Sequence, residues 1–401
     1  MSARLLLPIC ALLLSVTAVG KRVSGQDIAS PPFFDAGKTE SSYNGPERED
    51  PEPADLTEVR IGYFGPGSAS HPDGGDIWLA VNLALDEANA EGGYRGLPFR
   101  LIQAWADSPW TNGAGLVVRL VYVDRVWAII GGIDGASTHL AETVVAKARV
   151  TLISPGSTDK TVNLANVPWM FSALPGDQLL APALERTLVE NIGSGKFILV
   201  VSNGHDAHLF EREFQKFLSA SGRAPAFTYV FESGRTPDAD FVRRILEVQP
   251  AAVVVIADAR DSAGIVNALR RRGFGGKLFG GPSMGRRDFR ENLAGGTEGI
   301  LFACPSCAQP DAFGQAFSGR FGFGPDYTAR YAYETTRLLV EAIRRAGLNR
   351  ARIRDAVREM SPWKGNAASI EWDGLGRNCL LPAGPAVCTI PAGLPTVRGL
   401  P

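Results

Sequence analysis

The chain has 401 residues, and its 41 Lys and Arg residues nearly balance 42 Asp and Glu residues, which leaves a formal net charge of −1. This length exceeds the usual size of a single hydrophobic core and predicts two lobes. The balanced charge provides no strongly basic surface for nucleic acid or anionic membranes, so we expect a small-molecule ligand and no nucleic-acid partner.

The N-terminal segment is typical of a secretory signal. An apolar run from Leu5 to Val19 follows Arg4, and small-residue cleavage sites come after it. A membrane span needs roughly 17–25 residues, so we expect residues 1–25 to be a cleaved signal peptide of a periplasmic protein. An uncleaved anchor is the alternative, because Lys21 and Arg22 directly follow the run. Residues 26–56 are rich in Pro, Ser and acidic residues and predict a disordered tether.

From Val59 onward, short apolar segments alternate with helical patterns. Strands that are apolar throughout, each followed by an amphipathic helix, predict an α/β fold with two doubly wound parallel-sheet lobes. The predicted strands are Val59–Phe64, Phe99–Trp105, Val126–Gly131, Val150–Ser154, Lys196–Ser202, Phe227–Phe231, Ala251–Ala257, Lys277–Gly281 and Gly299–Ala303. The predicted helices are Asp76–Ala90, Thr138–Ala148, Gln178–Asn191, Leu209–Ser221, Asp238–Val248, Ser262–Arg272, Tyr327–Ala346 and Asn349–Met360.

Four cysteines follow the signal segment: Cys304, Cys307, Cys379 and Cys388. In an exported chain an even number predicts two disulfides with three possible connectivities, of which we favour the two local pairs, Cys304 with Cys307 and Cys379 with Cys388. A redox dithiol usually opens a helix, whereas Cys304 follows a strand-like segment. The nine-residue separation of the second pair is poor for a zinc site on four cysteines.

The segment AIIGGIDGAST, from Ala128, runs from a predicted strand into a glycine-rich loop. It lacks the G-x-G-x-x-G spacing of a dinucleotide site and the G-x-S-x-G pattern of a hydrolase, so we expect neither a cofactor nor an enzyme. Glycines and free N–H groups at a helix start instead suit the binding of a polar or anionic group. Helix capping by Ser137 or Thr138 is the structural alternative.

A pair of histidines, His205 and His208, opens the helix after a predicted strand of the second lobe. Two imidazoles at this spacing can share a metal ion, but so short a cluster offers few ligands. We therefore expect no metal site and keep both side chains as hydrogen-bonding groups for the ligand.

The segments "AIIGGIDGASTHLAETVVAKARVTLISPGSTD", "IWLAVNLALDEANAEGGYRGLPFRLIQAWADSP" and "NIGSGKFILVVSN" resemble the periplasmic solute-binding proteins of branched-chain amino acid ABC transporters. The similarity extends over roughly Val59 to Asn378. It implies a type I periplasmic binding protein fold, in which two lobes joined by three crossovers close around a ligand. On this pattern the first lobe is residues 57–174 and 304–362, the second lobe is 175–303 and 363–378, and 379–401 form a tail outside the pattern.

The resemblance also implies a function and a site. We expect a monomeric protein that captures an amino-acid-like, amide or more apolar solute for the membrane permease subunits of an ABC importer; a sensor on the same fold is the alternative. In similar proteins a second-lobe acid binds the ligand ammonium, but the matching turn here, Gly281–Gly285, has none, which favours an uncharged or more apolar ligand. The candidate ligand-binding residues are Gly135, Ala136, Ser137, Gly156, Ser157, Thr158, Trp78, Trp110, Asp134, His205, His208, Asp258 and Ser283.

Overall fold

The computed structural model describes residues 43–107, 109–235, 239–296, 298–307, 310–381 and 386–389. The predicted signal peptide and residues 26–42 of the predicted tether lie outside this part of the chain. None of the helices in the described residues combines the length and apolar character that a membrane span requires.

The first lobe is built on a six-stranded sheet with the strand order β13-β5-β4-β3-β1-β2. All of its pairings are parallel. Its strands and helices up to the first crossover are β1 (Val59–Phe64), α1 (Gly75–Ala90), β2 (Phe99–Ala104), α2 (Pro109–Tyr122), β3 (Ala128–Gly131), α3 (Gly135–Ala148), β4 (Thr151–Ser154) and β5 (Met170–Pro175). Strands β3, β4 and β5 are buried at every position, as parallel strands covered on both faces should be.

The second lobe repeats this arrangement with the order β14-β10-β9-β8-β6-β7. Its elements are α4 (Asp177–Ile192), β6 (Phe197–Ser202), α5 (His205–Ala220), β7 (Thr228–Phe231), α6 (Ala239–Val248), β8 (Ala252–Ile256), α7 (Ala259–Arg271), β9 (Lys277–Gly280), a 3₁₀ turn (Pro282–Gly285), α8 (Arg287–Asn292) and β10 (Ile300–Ala303). Apart from the final strand, both sheets follow the 2-1-3-4-5 doubly wound order. In such sheets ligands bind beyond the carboxyl ends of the two strands that flank the point where the order reverses. These strands are β1 and β3 in one lobe and β6 and β8 in the other.

The chain then returns to the first lobe through α9 (Ala312–Phe321), α10 (Tyr327–Ala346) and α11 (Arg350–Glu359). Helix α10 packs along α1, and its buried face joins the core. The predicted two-lobed α/β fold is confirmed. The predicted strands and helices occur within a few residues of their expected bounds, whereas β5, α2, α8, α9 and the 3₁₀ turn were not predicted.

The C-terminal segment departs from the expected lobe boundaries. After a short hairpin of β11 (Trp363–Lys364) and β12 (Ser369–Ile370), β13 (Arg377–Asn378) adds to the first sheet beside β5, and β14 (Val387–Cys388) adds to the second sheet beside β10. Residues 363–378 therefore do not belong to the second lobe as a block. The segment 379–401 is not simply a tail, because part of it supplies an antiparallel edge strand.

The disulfide joins Cys307 to Cys388, whose Cα atoms lie 5.5 Å apart, while Cys304 is a buried free thiol and Cys379 an exposed one. Both predicted local pairs are wrong. The pairing of β14 with β10 brings Cys388 beside the end of β10, across 81 residues of sequence, and this contact cannot be read from local spacing.

The described part of the predicted tether is packed against the first lobe. Tyr43 is 2% exposed, and its ring centroid lies 4.7 Å from that of Trp169. The Asn349 amide donates hydrogen bonds to the carbonyls of Glu47 and Asp50 at 2.8 and 3.1 Å. The expectation of disorder is therefore wrong for residues 43–56, since one aromatic anchor and backbone hydrogen bonds compensate for their polar composition.

Candidate functional site

A cavity of about 430 Å³ lies between the two lobes, at the carboxyl ends of their strands. A larger groove of about 640 Å³ lies near the starts of β1 and β3, which is the opposite edge of the first sheet from the switch point. The interlobe cavity is therefore the candidate site. Residues from both lobes line it: Asp73, Trp110, Ile133, Asp134, Ala136, Gly156, Thr158, Ser202, Gly204, His205, Asp206, Ala207, Phe210, Ser233, Ile256, Ala257, Asp258, Ala259, Gly281, Pro282, Ser283, Arg286 and Tyr327.

The loop after β3 uses its polar groups to start helix α3. The Asp134 carboxylate accepts hydrogen bonds from the Ser137 N–H at 2.7 Å and from the Ser137 hydroxyl at 2.5 Å, while Ser137 is fully buried. The Thr138 hydroxyl donates to the Asp134 carbonyl at 2.6 Å. Ser137 thus takes part in capping α3, the alternative that the sequence left open, and is not among the residues that line the cavity. Asp134 and Ala136 do line the cavity.

The N–H group of Gly135 was expected to serve the ligand, but it donates to the carboxylate of Asp206, a second-lobe residue. Both Asp206 oxygens lie 3.1 Å from the Gly135 nitrogen. A Cβ atom at position 135 would lie 2.3 Å from Asp206 Oδ1, which explains why a glycine suits this close interlobe contact. Burial, together with the nearby Asp134, raises the pKa of Asp206 to about 7.

The loop after β4 combines a close backbone approach with a buried hydrogen bond. A Cβ atom at Gly156 would lie 2.4 Å from the carbonyl oxygen of Ile133, so the two ligand-facing loops pack against each other. The N–H of Asp177 donates to the Thr158 carbonyl at 2.8 Å, and complete burial raises the pKa of the Asp177 carboxyl. Ser157 is also fully buried and accepts from the N–H of Asp159 at 3.2 Å. Gly156 and Thr158 line the cavity, whereas Ser157, also a predicted ligand contact, is not among its lining residues.

The second-lobe wall contains polar side chains fixed by their own loops. Asp258 accepts from the Asp261 N–H at 3.0 Å and from the Ser233 hydroxyl at 2.7 Å. The Ser283 hydroxyl donates to the carbonyl of Ala257. Three of the predicted ligand contacts, Asp258, Ser283 and His205, line the cavity.

Of the predicted aromatic and histidine contacts, some line the cavity and others do not. Trp110 lines the cavity and is 67% exposed, whereas Trp78 packs on Tyr63 with ring centroids 5.4 Å apart. The His208 side chain is 61% exposed and lies near Glu211. Neither Trp78 nor His208, both predicted ligand contacts, is among the residues that line this cavity.

Arg286 is a cleft residue that the sequence did not reveal. Its guanidinium is 7% exposed, lies 3.2 Å from Asp326 and donates to the backbone carbonyl of Asp73. Burial opposes the charge of Arg286, but the attraction of Asp326 outweighs this effect and raises the pKa of the guanidinium. The guanidinium of Arg286 thus forms contacts that join the two lobes.

His205 lies beside two first-lobe residues that were not predicted to contribute. His139 Nε2 lies 2.7 Å and His205 Nε2 3.1 Å from the same oxygen, Asp159 Oδ2. Burial would raise the pKa of Asp159, but hydrogen bonds from the two imidazoles and from Thr161 hold it below its usual range. The hydrogen bond to Asp159 raises the pKa of His139 to about 10.

Further contacts hold the lobes together around the cavity. Lys160 forms an ion pair with Glu213 of α5, and Arg287 Nε lies 2.5 Å from Asp76 Oδ1 in α1. With the Gly135–Asp206 and Asp159–His205 contacts, these pairs describe a closed arrangement of the two lobes.

Comparison with known proteins identifies the family. A model of the periplasmic binding protein family matches residues 58–378. The chain belongs to this family. An amino acid binding protein of Pseudomonas aeruginosa is 25% identical over 307 residues, covering 73% of this chain and 80% of that protein. The family resemblance inferred from the sequence is confirmed.

Solved structures share the fold. The branched-chain amino acid transporter substrate-binding protein LivJ of Streptococcus pneumoniae, in complex with isoleucine, has a TM-score of 0.72 and 21% identity, covering 80% of this chain and 93% of LivJ. An ABC transporter solute-binding protein of Rhodopseudomonas palustris, in complex with benzoate, has a TM-score of 0.71 and 14% identity, covering 85% and 99% of the two chains. The chain thus shares the periplasmic binding protein family and the fold of these substrate-binding proteins.

Proposed function

We propose that the protein is an exported, monomeric receptor that captures a small organic solute between its lobes and delivers it to the membrane permease subunits of an ABC importer. The observation that carries this proposal is the cavity of about 430 Å³, whose walls come from the strand ends of both lobes. Such a volume is within the usual range of small-molecule sites. A periplasmic location is consistent with membership of the family and with the N-terminal signal pattern.

The charges of the cavity favour a ligand that is neutral or cationic at its polar end. Four carboxylic acids line it, Asp73, Asp134, Asp206 and Asp258, against one arginine that is paired with Asp326. The Gly135 N–H, the first-lobe backbone donor suited to a ligand carboxylate, already donates to Asp206. A ligand carboxylate would therefore lose its hydration without gaining strong donors. An ammonium or amide group would find acceptors.

The apolar part of the ligand has a defined surface to contact. Ile133 and Trp110 come from the first lobe, and Phe210 and Ile256 from the second. Because these side chains lie on opposite walls, an apolar solute buries most surface when the lobes are closed. Ligand binding then shifts the population from open to closed forms by a hinge motion, since contacts with both walls exist only in the closed form.

Matched solutes test both the function and the charge preference. Calorimetric titration and thermal shift would compare leucine, leucinamide and isovalerate, and then benzamide and benzoate. Within each set the apolar group is similar while the polar end changes charge. We expect leucinamide to bind more tightly than leucine and isovalerate to bind most weakly, with benzamide above benzoate. Tighter binding raises the melting temperature by mass action.

Two results would contradict the proposal in different ways. Tighter binding of isovalerate and benzoate than of their amides would overturn the charge preference but keep the receptor function. The absence of any bound compound in mass spectrometry of the gently purified protein, together with a flat response to a broad metabolite library, would overturn the receptor function itself.

A further inference from the structure

Three potential metal-binding side chains meet at the edge of the interlobe cleft. His139 comes from α3, Asp159 from the loop after β4, and His205 from the first turn of α5 in the second lobe. One nitrogen or oxygen atom from each lies within 4.8 Å of the others. Two imidazole nitrogens and one carboxylate oxygen are thus brought together by elements of both lobes. In the sequence His205 lies near His208, and local spacing does not indicate a cluster of His205 with His139 and Asp159.

The remaining atoms of these side chains are held in the way that metal ligands usually are. His139 Nδ1, the nitrogen directed away from the cluster, lies 3.5 Å from Glu142 Oε2. Asp159 Oδ1, the oxygen away from the cluster, accepts hydrogen bonds from the N–H and the hydroxyl of Thr161, both at 2.7 Å. Outer carboxylates and donors of this kind fix the ring and carboxylate orientations around protein-bound metal ions. Both first-lobe ligands are therefore preoriented toward one point.

We propose that His139, Asp159 and His205 form a site for a divalent transition-metal ion, of which zinc is the best-suited example. Two imidazoles and a carboxylate are a common protein ligand set for zinc, and a fourth position remains for water or a solute atom. The two Nε2 atoms now converge on Asp159 Oδ2, so the ion would take the place of the imidazole protons. Ligand distances of about 2 Å separate tetrahedral ligand atoms by about 3 Å, which small side-chain rotations would provide.

The local surroundings allow such an ion to enter and to be stabilised. The side chains of His139 and His205 are 28% and 40% exposed, while Asp159 is fully buried beneath them. Glu142 and Asp206 add negative charge close to the cluster. A cation arriving from solvent thus meets two accessible imidazoles above a buried carboxylate.

This site would couple metal binding to closure. The first lobe supplies only His139 and Asp159, and the third ligand arrives with the second lobe. An ion that binds all three residues therefore binds more tightly to the closed form and shifts the population toward it. This inference does not depend on which solute occupies the central cavity.

Zinc titration of the full chain tests the proposal. The chelator-treated protein would be titrated calorimetrically with zinc chloride, in a Cys379→Ser background that removes the exposed thiol. We expect one equivalent to bind, with affinity falling at least tenfold in both His139→Gln and His205→Gln, since even supporting residues around metal sites contribute about 10–100-fold. His208→Gln, in the same first turn of α5, is the matched control and should leave the affinity unchanged.

A second readout separates metal ligation from a structural role of the histidines. Cobalt(II) in place of zinc should give visible d–d absorption bands in the His208→Gln control, and these bands should be lost in His139→Gln and His205→Gln. Circular dichroism would verify that both variants are folded. Zinc binding with equal affinity in all variants, or the absence of binding, would overturn the metal site. Loss of affinity in His139→Gln alone would overturn the bridge between the lobes.

Discussion

The two lobes share one strand order but use the polar groups of their cleft walls differently. In the first lobe, Asp134 caps α3 and is therefore satisfied within its own lobe. In the second lobe, His205 and Asp206 contact the first lobe. Asp134 is thus fixed before closure, whereas His205 and Asp206 reach these first-lobe partners only in the closed arrangement. Similar topology therefore does not imply equal roles in binding.

The sixth strands of the two sheets show a second difference. In the first sheet, β13 is parallel to β5, and the Asn378 amide donates to the Ala173 carbonyl at 2.8 Å. In the second, β14 is antiparallel to β10 and is attached through the Cys307–Cys388 disulfide. The first lobe secures its edge with hydrogen bonds and burial, and the second with a covalent link.

Cys388→Ser should have the largest effect, because it removes the link on which the second edge depends. A disulfide enclosing 81 residues stabilises the chain by about 4 kcal/mol in the loop-entropy description. We expect the free energy of unfolding to fall by this order in urea titrations under oxidising conditions. Cys379→Ser, which alters an exposed free thiol, is the control and should match the wild type. Equal midpoints for Cys388→Ser and the control would show that β14 needs no covalent support.

Thr158→Ala tests the contact between the loop after β4 and the start of α4. The substitution removes a hydroxyl that interacts with the fully buried Asp177 carboxyl, and a buried polar group that loses an interaction costs about 1–3 kcal/mol. We expect that loss of stability in chemical denaturation and weaker solute binding, whereas Thr158→Ser should retain most of both. If Thr158→Ala unfolded at the wild-type midpoint, the Thr158–Asp177 contact would not contribute to stability.

Gly135→Ala examines the contact between the walls. The added methyl group would lie 2.3 Å from Asp206 Oδ1 and 3.1 Å from Asp159 Cβ, so the closed form should be less populated. Apparent affinity falls in proportion to the population of the binding form, and we expect at least a tenfold loss for leucinamide. Gly264→Ala in α7, where a Cβ meets no neighbour within 4 Å, is the matched control. Unchanged affinity for leucinamide in Gly135→Ala would show that binding does not require the close contact between residue 135 and Asp206.

The two capping aspartates provide the finest comparison. Asp134→Ala removes the cap of α3 and should lower the unfolding free energy by about 1 kcal/mol, whereas Asp134→Asn should retain most of the stability. Asp258→Ala removes the more exposed cap of α7 and should cost less stability, but it also removes a cavity acceptor. Denaturant midpoints and leucinamide affinities of the three variants would separate these roles. A larger loss of unfolding free energy in Asp258→Ala than in Asp134→Ala would contradict this comparison.

Much of the fold could be predicted because buried parallel strands are apolar at successive positions. Strand β5 was missed because Ser172 interrupts a short run that follows Pro168 and Trp169. Helix α2 was missed because Gly113 and Gly115 weaken its apolar spacing, a signal still carried by its remaining residues. Local sequence identified these elements well only where their composition was uniform.

The site was less predictable because its contacts cross between lobes. Asp134, Thr158 and Asp258 lie at helix starts or loops after strands, where the topology directs them to the cleft. The pairings of Asp206 with Gly135 and of His205 with Asp159 depend on how the lobes close, and local spacing contains no such information. Ser137 and Ser157 show a different limit, since the Ser137 hydroxyl donates to the Asp134 carboxylate and the Ser157 hydroxyl accepts from the Asp159 N–H.

Small-angle X-ray scattering tests the central claim, closure of two lobes around an organic solute, most directly. Profiles of the wild-type chain and of Gly135→Ala would be recorded with and without saturating leucinamide. We predict that leucinamide lowers the radius of gyration of the wild type and produces a smaller change in Gly135→Ala. An unchanged wild-type radius, at a concentration where calorimetry shows full binding, would contradict the account.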